Sequence, residues 1–153
     1  MTRRSRPEAA APEPHIRPVE DRDLDAVVAL WHAAGLVVSY NEPAGDIAFC
    51  RASANAELFV AEEAGAVVAT AMAGHDGHRG WLYYVASDPA RRGEGLGRDI
   101  VAHAEAWLAA LGVRKVNLII RDANTKVQGF YERLGYATEP RTVMARWLID
   151  DPR

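Results

Sequence analysis

The stretch from Trp81 to Leu111 confines the fold more than any other part of the chain. An aromatic and apolar run, "WLYYVAS" (81–87), exits through Asp88-Pro89 into "ARRGEGLGR", where three glycines lie among arginines, and then into an apolar periodic segment. Leu96, Ile100, Val101, Ala104, Trp107, Leu108 and Leu111 fall on one side of a 3.6-residue helix. A strand that turns through glycines directly into an amphipathic helix implies an α/β architecture, because the helix must lay its apolar stripe back on a sheet. The glycines let backbone N–H groups converge without Cβ obstruction, and the helix N-terminus adds the positive end of its dipole. The unit is either an ordinary connection with solvated arginines or a cradle for a pyrophosphate. A dinucleotide fingerprint is excluded, since counting from Gly93 and Gly95 puts Arg98 where the third glycine belongs. No Walker pattern occurs either.

At 153 residues and 49% hydrophobic, the chain suits one domain. Periodicity predicts, in order, a strand, two helices, three strands, a helix, a strand, a helix and two strands. "HIRPVE" is the first strand, and Asp21 and Asp46 are expected to cap the first two helices. "ELFVAE" and "VVATAMAGHDGHRGWLYYVAS" supply the next three strands, the last two a hairpin, and "KVNLIIR" the fifth. Asn124 to Leu134 is the last helix, and "GYATEP" and "RTVMARWLI" are the last two strands. Residues 1–14, rich in Pro, Ala, Glu and Arg with no apolar stretch, are expected to be a disordered tail, leaving 15–150 as the domain.

A formal charge of −3 offers no global basic field, so nucleic acid is not an expected partner. The longest weakly polar run, Ala64 to Gly74, is too short to span a bilayer, and no membrane association is expected. The single cysteine, Cys50, forms no intrachain disulfide, which points to a reducing, cytoplasmic setting. His75 and His78 flank a turn without a third convergent ligand, so no metal is expected.

Arg92-x-x-Gly95-x-Gly97 resembles the R/Q-x-x-G-x-G/A motif of the GNAT acyltransferase superfamily, and "VASDPARRGEGLG" is similar to the whole family segment around it. Downstream, "NTKVQGFYERLGY" resembles the family's second motif, and the likeness extends over about His15 to Ile149. The hairpin "GHDGHRG" with its following Tyr-Tyr is similar to that of small bacterial YpeA-type members.

The resemblance implies a mixed, mostly antiparallel sheet of six to seven strands flanked by four helices. It also implies N-acetyl transfer from acetyl-CoA to a primary amine of a small molecule or peptide, with a homodimer as a common assembly. A non-catalytic CoA-binding module on the same fold is the alternative. The family places the pyrophosphate on the backbone N–H groups of Arg92, Gly93, Gly95, Gly97 and Arg98, and the pantetheine arm beside Val85 and Ser87. Asn124 matches an asparagine that contacts the cofactor, and it equally suits the N-cap of its helix. Tyr131 matches the general acid for the departing thiolate, whereas its helical spacing with Val127 and Leu134 also suits a core tyrosine. No residue announces itself as the base; Tyr83, Tyr84, Glu42, Asp76 and His78 are within conceivable reach. Strand alternation sends Tyr83 and Tyr84 to opposite faces. Glu42, Asp46 and Glu139 are expected at an acidic acceptor mouth.

Overall fold

The structure is a computed structural model that describes residues 13–153. The expected tail therefore lies outside the described residues except for Glu13 and Pro14. In chain order the elements are β1 (His15–Pro18), α1 (Leu24–Ala33), α2 (Pro43–Ala52), β2 (Ala56–Glu63), β3 (Ala66–His75), β4 (Gly80–Ser87), α3 (Leu96–Ala110), β5 (Val116–Asn117) and α4 (Thr125–Arg133). Short 3₁₀ turns precede α1 at Asp21–Asp23 and follow β4 at Pro89–Arg91.

The strands lie in sequence order, β1 to β5. The first four pair antiparallel and β5 pairs parallel to β4. Alternation along β2 explains the layers: Phe59 and Ala61 join the core under α3 and α4, whereas Leu58 and Val60 join the core under α1 and α2. Each helix turns its apolar stripe to the sheet, α3 through Ile100, Val101, Ala104 and Leu108 and α1 through Val27, Leu30 and Trp31.

Two corrections concern the sheet. Five strands are present among the described residues, not six or seven. β5 keeps register with β4 for two pairs only, Gly80 with Val116 and Trp81 with Asn117, and Leu118–Arg121 then parts from β4. The edge that any later strand would extend is thus very short, and strand preference is realised only against a partner. "GYATEP" and "RTVMARWLI" accordingly form no strand. Val143, Met144 and Leu148 are 65%, 91% and 93% exposed.

The second correction arises within β4. Met72 faces Tyr83 and Thr70 faces Ala86, so Ala71 alone stands opposite Tyr84 and Val85. This bulge holds Tyr84 at φ 49°, a left-handed conformation unusual for a tyrosine. The extra residue cancels the alternation. Tyr84 packs with the α1/α2 core while Leu82 and Val85 pack with the α3/α4 core. Tyr83, two residues from the Trp81 ring it stacks on and adjacent to Leu82, faces the same side as Tyr84.

A buried hydrogen-bond chain fixes the bulge. Trp31 Nε1 donates to Thr70 Oγ1 at 2.9 Å, and Thr70 Oγ1 donates to the Tyr84 carbonyl at 2.9 Å. Thr70 and Trp31 are fully buried. Thr70→Val keeps the shape and strands both partners, so it is expected to cost about 1–3 kcal/mol, measured by urea unfolding.

A second polar anchor ties β1 to β2 and the start of α1. Arg17 donates to both carboxylate oxygens of Asp23 at 2.7 and 3.0 Å and to Glu62 Oε2 at 2.7 Å. Hydrogen bonding to Arg17 holds both carboxyls below the ordinary range. Groups with depressed folded values contribute stability that is complete above their unfolded pKa and is lost as pH falls through the folded one. Stability should therefore decline on acidification below about pH 4. Urea unfolding of Arg17→Met at neutral and acidic pH should show a weaker decline, because Asp23 and Glu62 have lost the cation that holds their pKa values down.

Candidate active site

The glycine loop is built from its own backbone. Asp88 donates its N–H to the Val68 carbonyl, and its side chain accepts from Ala90 N at 2.9 Å, so the chain leaves β4 in a fixed turn. Gly93 at φ 83° and Gly95 at φ 82° then adopt left-handed conformations that disfavour side chains. Gly95 is the N-cap of α3, and the bond from Asp99 N to Gly95 O opens the helical ladder. The N–H groups of Leu96, Gly97 and Arg98 thus have no intrahelical partner and point out of the helix end. With the dipole of a 15-residue helix behind them, they form an anion-binding terminus.

The arginines divide into different roles. Arg91 bonds to Glu94 and forms a short ion pair with Glu63, so it braces the loop against the end of β2. Arg98 pairs with Asp99 at 3.1 Å. Arg92 is exposed and forms no ion pair among the described residues, which leaves its charge available to a ligand. Gly97 has a structural use as well: a Cβ there would lie 3.2 Å from the Phe130 ring, so it admits close packing of α4 on α3.

Val85 and Ser87 lie on β4 beyond Trp81, the last residue paired to β5, in the stretch where β4 has no partner on that edge. Leu118 and Ile120 pack against the α3/α4 core, so the parting segment stays part of the domain. Asn124 is the N-cap of α4, its Oδ1 accepting from Val127 N at 3.4 Å. The capping reading is the one these contacts express.

Tyr131 is 7% exposed, its ring set edge-on against Phe130 and Tyr136. Its hydroxyl has no hydrogen-bond partner among the described residues. No fully buried side-chain polar atom among the described residues is left without a partner, so this hydroxyl is not completely enclosed. Burial pushes the phenol up to about 12. It is a protonated donor at any ordinary pH.

On the opposite face, α2 begins earlier than expected. Pro43 occupies its first turn and Glu42 is the N-cap, so Asp46 lies inside the first turn rather than capping it. Its Oδ2 accepts from the Tyr84 hydroxyl at 2.5 Å. The Tyr84 ring stacks on Trp31, centroids 3.8 Å apart. Tyr40, next to Asn41, meets Trp147 edge-on at 6.0 Å. Glu139 is elsewhere, paired with Lys115 at 2.6 Å. Asp76 accepts from His78 N, Arg79 N and Trp81 Nε1, which hold it at about 2 and commit it to the turn. Asp21 likewise is no cap of α1; Glu20 and Asp23 form the capping box at this terminus, and Asp21 pairs with Arg51.

The comparisons agree with this geometry. Residues 22–136 match the model of the acetyltransferase (GNAT) family. A Yersinia enterocolitica protein named as an acetyltransferase is 37% identical over 137 residues, covering 89% of this chain and 96% of that protein. Among solved structures, AAC(6')-Iy in complex with a CoA-based bisubstrate analog superposes with a TM-score of 0.76 at 18% identity, covering 90% of this chain and 100% of that one. Glucosamine-6-phosphate N-acetyltransferase from Arabidopsis thaliana gives 0.67 at 22% identity, covering 89% and 99%. At those identities the two structures speak for the fold alone. Sheet, glycine loop, family model and a closely matching relative converge on one conclusion: the chain belongs to the acetyltransferase (GNAT) family.

Proposed function

We propose that the chain transfers the acetyl group of acetyl-CoA to a primary amine, on a small molecule or a peptide, by direct attack within a ternary complex. The observation that carries this reading is the alignment of an anion-binding helix end, an opened strand pair and an unbonded phenol. Pyrophosphate is held by the N–H groups of the Arg92–Arg98 loop, with Arg92 adding charge. The pantetheine arm runs beside Val85 and Ser87 in the cleft where β4 and the residues after β5 separate. The residues present fit that ligand, since the donors are backbone groups already turned outward.

An attacking amine adds to the thioester carbonyl, the carbon–sulfur bond then breaks, and the leaving thiolate takes a proton from the Tyr131 hydroxyl. A phenol held at about 12 releases that proton only to a strong base formed beside it. Neighbours of the same fold are named for CoA binding and for N-acetylation of an amino sugar, which supports the same choice of donor and acceptor class.

The test is an amine panel incubated with the protein and acetyl-CoA, with free thiol and acetylated product both measured. Stoichiometric thiol and N-acetyl product are expected. Tight CoA binding with no thiol release for any amine would favour a non-catalytic CoA-binding module.

A further inference from the structure

Tyr84 and Asp46 are not used by the reading above, yet their geometry is the most constrained on the α1/α2 face. Without the bulge, Tyr84 would follow Leu82 into the α3/α4 core. The bulge, the left-handed backbone at φ 49° and the buried Trp31–Thr70 chain together carry its ring to the other face. There the ring is clamped on Trp31 with an interplanar angle of 8°. The phenol ends on a carboxylate at 2.5 Å, and the residue remains partly open to solvent. Packing alone does not require this arrangement, because a phenylalanine would stack equally well.

The placement relative to Tyr131 matters. Tyr84 lies on β4 three residues beyond Trp81, the last residue paired to β5, about 10 Å along the strand in the stretch where β4 has lost that partner. Tyr131 packs in the core on the other face of the sheet. The two phenols thus lie on opposite faces of the sheet, Tyr131 with no hydrogen-bond partner among the described residues and Tyr84 bonded to a carboxylate.

Resting on the acetyl-transfer reading, we propose that Tyr84 and Asp46 form the proton relay for the attacking amine, with Tyr84 touching the substrate nitrogen and Asp46 acting through it. The neutral amine forms its N–C bond to the thioester carbonyl carbon as the carbonyl π pair moves to oxygen. The proton now in excess on nitrogen passes to the Tyr84 oxygen, while the Tyr84 hydroxyl proton passes to Asp46 Oδ2. The carbon–sulfur bond then breaks, and the sulfur takes the Tyr131 proton. Protonated Asp46 and the Tyr131 phenolate are restored by exchange with solvent, leaving an amide and free CoA.

Tyr84→Phe, Asp46→Asn and the double variant test this, with single-turnover transfer, CoA affinity and thermal unfolding measured on each. Asp46→Asn still accepts the phenol's hydrogen bond and so preserves the structure, but it no longer takes a proton. Each single variant is expected to melt near wild type, bind CoA normally and transfer acetyl roughly 10²- to 10⁴-fold more slowly. The double variant should be no slower than Tyr84→Phe, as expected of residues acting as one unit. Added formate should partly restore Asp46→Ala, an effect that a purely structural carboxylate would not show. An active wild type with either single variant within about threefold of it would overturn the relay alone. A wild type that binds CoA and acetylates no amine would overturn the transfer reading and the relay with it.

Discussion

Tyr131→Phe is expected to give a folded protein that binds acetyl-CoA normally and transfers acetyl roughly 10²- to 10⁴-fold more slowly in a single turnover. The substitution keeps the edge-on contacts with Phe130 and Tyr136 and removes only the hydroxyl. That hydroxyl bonds to no described residue, so its loss breaks no internal hydrogen bond and should leave thermal stability almost unchanged. A core tyrosine would lose little activity. Because burial holds the phenol at about 12, the wild-type rate should also show no decline from its ionisation at ordinary assay pH. Single-turnover rates measured from pH 6 to 10 test both statements together.

Gly95→Val should abolish most of the affinity for CoA, roughly tenfold or more in Kd by calorimetry. At φ 82° a side chain is strained by about 1–2 kcal/mol. Its Cβ would also stand 2.7 Å from Arg98 Nη2, which must swing away from the helix end. Both effects distort the row of outward N–H groups. Gly93→Ala meets nothing within 4 Å, so it isolates the backbone contribution and should weaken binding less. Arg92→Ala should cost less than Gly95→Val as well, since it removes one exposed charge and no backbone donor. Gly97→Ala is a different experiment, because its methyl presses on Phe130 and disturbs the contact between α3 and α4.

Much of the local geometry of the candidate site was legible because its signals are local. A left-handed backbone is written as glycine at Gly93 and Gly95, a cap as Asn124, and an inward tyrosine as the spacing of Val127, Tyr131 and Leu134. The facing of Tyr84 was not legible. A bulge is a one-residue offset between two strands, and nothing in the composition of Thr70 to Met72 or Tyr83 to Val85 marks it. Asp46 was misplaced for a reason that the chain did contain: Pro43 suits the first turn of a helix and moves its start ahead of the aspartate. The last two strands failed on context, since β-branched and apolar residues from Thr142 to Ile149 find no strand edge to join.

Hydrogen–deuterium exchange with and without CoA tests most directly where the ligand is held. Binding is expected to slow exchange at the amides from Arg92 to Arg98, strongest at Leu96, Gly97 and Arg98, whose N–H groups lack helical partners. Protection should extend to Val85 and Ser87 on β4, and the groove beside Ala26, Leu30 and Val67 should be unchanged. Unaltered exchange across residues 92–98 in a protein saturated with CoA, or protection confined to that groove, would contradict the account.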